Sequence, residues 1–270
     1  MRIGKQDNAF TAIATSDADS ITVRGYDLCS ELIGVVDFVD HFWLLVTGGR
    51  PSAAQRLVTN ACLVSLAEHG LVPSVQAARM TLAAAPEAWQ GAMAAGLLGM
   101  GSVVAGSSEV AGRYLAELVQ ETEASGAEPA VVCARSLEGM KASRRKVPGL
   151  GHPQHSGGDP RAHRLIAVAE EAGIAGRHVA VLKTLDALGA GIFGRPLPMN
   201  VSGAIPAVML DAGWPLDAMK GIPLLARCAG LVAHLFEETR RPIGFIMSHQ
   251  ADTAIGYDGR PSSDAPGKAE

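Results

Sequence analysis

The sequence lacks the marks of several large protein classes. No apolar run approaches the roughly 18 residues needed to cross a membrane, and the opening MRIGKQDNAF has no apolar signal core. The chain is therefore expected in the cytoplasm, with no membrane partner. Positive charge is not in excess. The net charge of −4 argues against nucleic acid as the main partner, although a local basic patch can still hold phosphate. Cys29, Cys62, Cys133 and Cys228 are scattered without disulfide or metal spacing, so free, buried thiols are expected. No two histidines share ligand spacing with a carboxylate, and no metal constellation is expected. A GxxxxGK(S/T) loop is missing, so the chain alone is not expected to use ATP. Neither a Ser-His-Asp motif nor an internal repeat stands out.

What remains is a globular balance: 270 residues, 48% hydrophobic and 19% charged, enough for one large domain or two smaller ones. Residues 19–26, DSITVRGY, carry the single short β-like alternation. After Asp27 the chain reads as helix. Asp27 caps a segment to about Ile33, Asp37 one to Val46, and Ser52 one over 53–68. Gly48, Gly49 and Pro51 stop the second of these. Further helices are expected over about 74–84, from Pro86, and over 107–124, 130–143, 161–172, 176–189, 202–212, 215–220 and 222–240. The segment 121–129 is expected to be a loop, and the end to fray from about Ser262. Helix content this high makes the fold class all-α.

Residues 144–160, RRKVPGLGHPQHSGGDP, hold three prolines and four glycines and cannot be helix. A polar, glycine-rich stretch inside a compact chain points to function. His152 sits in it behind Gly149-Leu150-Gly151, whose glycines let backbone amides approach a ligand. A histidine there is a candidate proton donor or acceptor near neutral pH. Arg161 and Arg227 are candidates for two-pronged grips on carboxylates. His69 reads either as a charge at a helix C-terminus or as a ligand contact. Arg144, Arg145 and Lys146 read either as a solvated loop or as a phosphate contact.

Six segments, in order, carry a resemblance: ITVRGYDLCSELIG (21–34), LLVTGGRPS (44–52), AEHGLVPS (67–74), VPGLGHPQHSGGDPRAHRL (147–165), LPMNVSGAIP (197–206) and ARCAGLVAHLFEE (226–238). They resemble the signatures of the citrate synthase family, which includes citryl-CoA lyase and the carbon-bond-cleaving end of ATP-citrate lyase. The GxGH…DPR element is the specific one. The resemblance implies a large helical domain, 1–105 with 208–270, and a small one, 106–207, with the active-site cleft between them. It implies a homodimer, and the apolar, glycine-spaced helices of 53–104 suit such an interface. It also implies a short, lyase-type member without the N-terminal helices of full-length synthases.

Residue by residue, the resemblance implies that His69 contacts the citrate or oxaloacetate part and that His152 handles the hydroxyl proton. Arg161 and Arg227 bind carboxylates, and Arg241, or Arg240 beside it, reaches the partner subunit's site. Arg145, Lys146, Val147, Gly149, Leu150 and Gly151 lie where the family holds coenzyme A, here a substrate thioester. Two expected groups are replaced: the family's enolate-stabilising His by Val104, and its proton-abstracting Asp by Ser202. Cleavage tolerates these losses better than condensation. Ser107 and Ser108 or backbone amides can stabilise an enolate, and water or a relay through Ser202 can supply its proton. The expected activity is cleavage of citryl-CoA, or of a related hydroxyacyl-CoA, to oxaloacetate and acetyl-CoA. A citrate or methylcitrate synthase, or an inactive coenzyme A-binding relative, are the alternatives.

Overall fold

A computed structural model gives the structure, which describes residues 9–101, 103, 106–151 and 158–259. The first described elements form a three-stranded antiparallel meander: β1 (Ala14–Ser16), β2 (Ile21–Val23) and β3 (Tyr26–Asp27). Ala14 pairs with Val23, and Val23 with Tyr26. The β2–β3 turn takes positive φ at Arg24 and Gly25, 49° and 87°, as a tight hairpin requires. The expected alternation is β2 and β3. Nothing in the sequence signals β1, because all three of its residues are exposed and no buried face imposes a pattern.

Helices make up most of the rest. A π-helical turn, Leu28–Leu32, is capped by the Asp27 carboxylate on the Ser30 amide. Then come α1 (Phe38–Thr47), α2 (Ala53–Ala67), α3 (Pro73–Ala84), α4 (Trp89–Leu98), α5 (Ser107–Ser125) and α6 (Pro129–Ala142). They are followed by α7 (Pro160–Glu171), α8 (Arg177–Phe193), α9 (Val201–Asp211), α10 (Gly221–Glu238) and α11 (Gly244–Ala254). Ser52 and Gln55 form a reciprocal capping box on α2, while Asp37 makes no side-chain cap on α1.

Further expectations need correction. The loop expected at 121–129 is shorter, since α5 continues to Ser125 and ends on Gly126 at φ 64°. The helix expected at 215–220 is a 3-10 turn, Leu216–Ala218. Helix α11 has no counterpart among the expected helices. Lastly, Leu216–Glu238 does reach the length and mean hydropathy, 1.2, of a membrane span. Its apolar residues Ile222, Ala226, Leu231 and Leu235 are buried in protein, whereas Val232 and Phe236 are exposed.

The chain forms two compact units, Met1–Glu68 with Met100–Arg227, and His69–Gly99 with Cys228–Glu270. In the first, α9 is the central helix: Ala204, Ile205, Ala207, Val208 and Met209 are fully buried, with α5, α7 and α8 packed around it. Pro206 is tolerated inside α9, and Gly112 of α5 gives it room, since a Cβ there would lie 3.1 Å from the Pro206 ring. Trp214 sits between Phe42 and Trp43, with ring centres 5.1 and 5.2 Å away.

In the second unit, Val75, Ala78, Leu82, Ala92, Leu231 and Leu235 form the core. Gly96 lets α4 approach Leu231 and the Ser74 carbonyl. Arg79 is buried and is held by Glu238 at 2.6 Å and Glu237 at 2.8 Å. Glu238 also accepts the Ile243 and Gly244 amides and so caps α11. All four cysteines are free. Burial pushes the thiols of Cys62 and Cys133 up to about 12 and about 11. Cys29 departs from the expected burial: it lies exposed in the π-helical turn.

Candidate functional site

The glycine loop is strapped to the segment that leads into α9. Leu150 pairs with Met199 in an antiparallel bridge. The Gly151 amide donates to the Pro198 carbonyl at 2.6 Å, and the Asn200 amide to the Gly149 carbonyl at 3.0 Å. The Asn200 side chain donates to the Gly151 carbonyl at 2.6 Å and caps α9 by accepting the Gly203 amide. Gly149 and Gly151 take φ of 82° and 77°, which favours glycine. Gly149 also packs directly on Gly203, where a Cβ on either residue would come within 2.9 Å of the other's backbone.

Arg161 stands at the second position of α7, behind the cap Asp159. Asp159 is fully buried. Its Oδ1 accepts the Arg161 amide at 3.1 Å and Nε at 3.0 Å, and its Oδ2 accepts Nη2 at 2.9 Å. Oδ2 also accepts the Val201 amide at 3.1 Å. Burial pushes this carboxyl up, but the Arg161 guanidinium and the Val201 amide outweigh it and hold Asp159 below 3.8. Arg227 on α10 is 8% exposed. Its Nη1 has no hydrogen-bond partner among the described residues. Burial draws its pKa down, Glu68 opposes that shift, and the neighbouring charge of Arg161 adds to it. Two guanidinium charges that oppose each other, one with a buried donor unpartnered among the described residues, suit an anion.

Ser202, the second residue of α9, meets Ser107, the first residue of α5, with hydroxyls 3.0 Å apart. Hydrogen bonds thus connect the first turns of three helices, α5, α7 and α9. Helix N-termini favour negative charge.

The other expected site residues lie as follows. His152 and Val104 fall outside the described residues. His69 is half-buried just after α2, at the start of the second unit. Arg241 is exposed in the turn after α10, and its carbonyl accepts from Arg79 Nη2 at 3.0 Å. Arg240 stacks on Phe236, 4.4 Å from the ring centre. Arg145 and Lys146 are exposed. Val147 and Leu150 are buried in the core, so any contact they make with a ligand falls to their backbone. Among the described residues no group of acidic, His and Cys side chains is placed to hold a metal. Sequence reasoning misses Asp159 and Asn200 as site-building residues. The DPR tripeptide signals the first, whereas nothing in the sequence signals Asn200 as a strap.

The described residues define an all-α protein whose polar residues gather where three helices begin. The chain belongs to the citrate synthase family: residues 34–245 match the family model of the citrate synthase C-terminal domain. It is similar to citrate synthase 2 of Bacillus subtilis, 26% identical over 200 residues, 74% of this chain and 51% of that one. The chain spans about half the length of the curated relatives it matches. Among solved structures it is similar to citryl-CoA lyase from Hydrogenobacter thermophilus. The TM-score is 0.82 and the identity 28%, with 98% of each chain covered. ATP citrate lyase from Methanothrix soehngenii, solved with citrate and coenzyme A, shares the fold at a TM-score of 0.74 and 20% identity. That match covers 98% of this chain and 44% of the other.

Proposed function

We propose that this chain is a citryl-CoA lyase, cleaving citryl-CoA to oxaloacetate and acetyl-CoA. The observation that carries the reading is the likeness to the Hydrogenobacter thermophilus citryl-CoA lyase over nearly the whole of both chains. Arg161 and Arg227 bind the carboxylates of the acid, with His69 contributing to the same substrate. His152 takes the hydroxyl proton, the carbon–carbon bond breaks, and its electrons pass into the thioester enolate. Ser107 and Ser202 stabilise that enolate and relay the proton that converts it to acetyl-CoA. The 145–151 loop receives coenzyme A along its backbone and through Arg145 and Lys146.

The proposal includes a cytoplasmic homodimer whose domains are 1–105 with 208–270 and 106–207, and in which Arg241 serves the partner's site. Leu57, Val64 and Leu98 are exposed apolar residues on α2 and α4, as a subunit interface would need. A stable monomer by sedimentation at micromolar concentration counts against this part.

The test of activity uses purified protein in two reactions. With citryl-CoA, oxaloacetate is expected without release of free coenzyme A. With oxaloacetate and acetyl-CoA, free coenzyme A is expected to stay at background. Brisk release in the second reaction makes the protein a synthase, and silence in both makes it a coenzyme A-binding relative.

A further inference from the structure

The buried carboxylate of Asp159 does more than a helix cap requires. A cap needs one accepted amide, which Ser, Thr or Asn supplies. Asp159 instead has both oxygens occupied twice, three times by Arg161 and once by the first amide of α9. Arg161 stands where a helix disfavours a cation, at its positive end. A residue selected for stability alone would not be Arg there. The grip uses Nε and Nη2 and leaves out Nη1, while the Arg161 side chain is 23% exposed. Arg227, whose charge Arg161 opposes, carries its own unpartnered Nη1 among the described residues.

We propose that Asp159 is the positioning residue of the carboxylate site: it holds one edge of the Arg161 guanidinium and turns the other, together with Arg227, toward an acid ligand. The inference rests on the proposed function, since it takes that ligand to be a polycarboxylate. The carboxylate cannot swing away, because the Val201 amide pins Oδ2 from another helix. Asp159 touches no substrate in this scheme and acts through Arg161 alone.

A double-mutant cycle on citrate affinity, measured by calorimetry, tests this. Asp159→Asn is expected to weaken citrate binding about tenfold or more, as loss of a charge-assisted pair does. In an Arg161→Gln background the same change is expected to add less than about twofold, because the residue it acts through is gone. A merely structural role would give losses that multiply, and that result overturns the proposal. So does Asp159→Asn binding citrate as the wild type does. If Asp159→Asn does not fold, Asp159→Glu keeps charge and cap but displaces the fork. It is expected to weaken citrate about fivefold or more at a near-wild-type melting temperature, and unchanged affinity again overturns the proposal. A wild type that binds neither citrate nor oxaloacetate rejects the proposed function, and this inference falls with it. Tight wild-type binding with multiplying losses rejects only the role of Asp159.

Discussion

The hydroxyls of Ser107 and Ser202 lie 3.0 Å apart and join the first turns of α5 and α9. Neither is a base of useful strength at neutral pH. Both sit where helix N-termini stabilise negative charge. Ser202→Ala is therefore expected to lower citryl-CoA turnover about tenfold or more, with citrate affinity within about twofold of the wild type. Steady-state kinetics beside calorimetry decide it. A fall in affinity with unchanged turnover would move Ser202 to the acid-binding side.

Gly203 has no space for a side chain. A Cβ there would lie 2.7 Å from the Gly149 carbonyl oxygen. Gly203→Ala is expected to cost about 2 kcal/mol or more, the scale of a forced overpacking. Gly139 is exposed in α6, and a Cβ added there would meet nothing within 4 Å, so it should behave oppositely. Gly139→Ala is expected to stabilise by about 0.5–1 kcal/mol. Chemical denaturation of the two variants gives the comparison directly.

Arg79 and Glu238 form a buried ion pair at 2.6 Å in the second unit. Arg79→Met leaves a buried carboxylate uncompensated and is expected to cost about 3–5 kcal/mol. The pair also sets an acid limit. Burial pushes Glu238 up, but the Gly244 amide, the Arg79 guanidinium and the Ile243 amide hold it below 4.5. A carboxyl lowered by folding stabilises above its unfolded pKa and loses that contribution as pH falls through the folded value. The melting-temperature gap between wild type and Glu238→Gln should be full near neutral pH and should shrink below 4.5. A gap that stays constant down to acid pH would show that the carboxylate charge does not matter.

His152 carries the proton-transfer role in the proposed chemistry. His152→Ala is expected to fold and assemble normally and to lose about 100-fold or more in cleavage rate. Citrate binding should weaken only modestly, since Arg161 and Arg227 remain. Arg161→Ala should do the reverse and weaken binding strongly. Near-wild-type turnover by His152→Ala would remove the assigned base.

Local signals in the sequence correspond well to local structure. Ser52 with Gln55 announces α2, and Pro73, Pro129 and Pro160 stand at helix starts. Helix α11 is hidden because Ile243, just before it, makes no side-chain cap; its start is held by Glu238, a residue of another helix. The site is legible as residue types and illegible as connections. DPR puts Asp159 beside Arg161, but nothing local shows that the same carboxylate meets Val201, 42 positions on. Likewise Ser107 and Ser202 are 95 positions apart, and only packing of α5 on α9 brings them together.

The contact of Gly149 with Gly203 sets a mechanical condition on the loop. Side chains that touch can absorb a displacement by changing rotamer, whereas two bare backbones in contact have no such slack. A displacement of residues 149–151 toward α9 therefore presses backbone on backbone at Gly203, the residue next to Ser202.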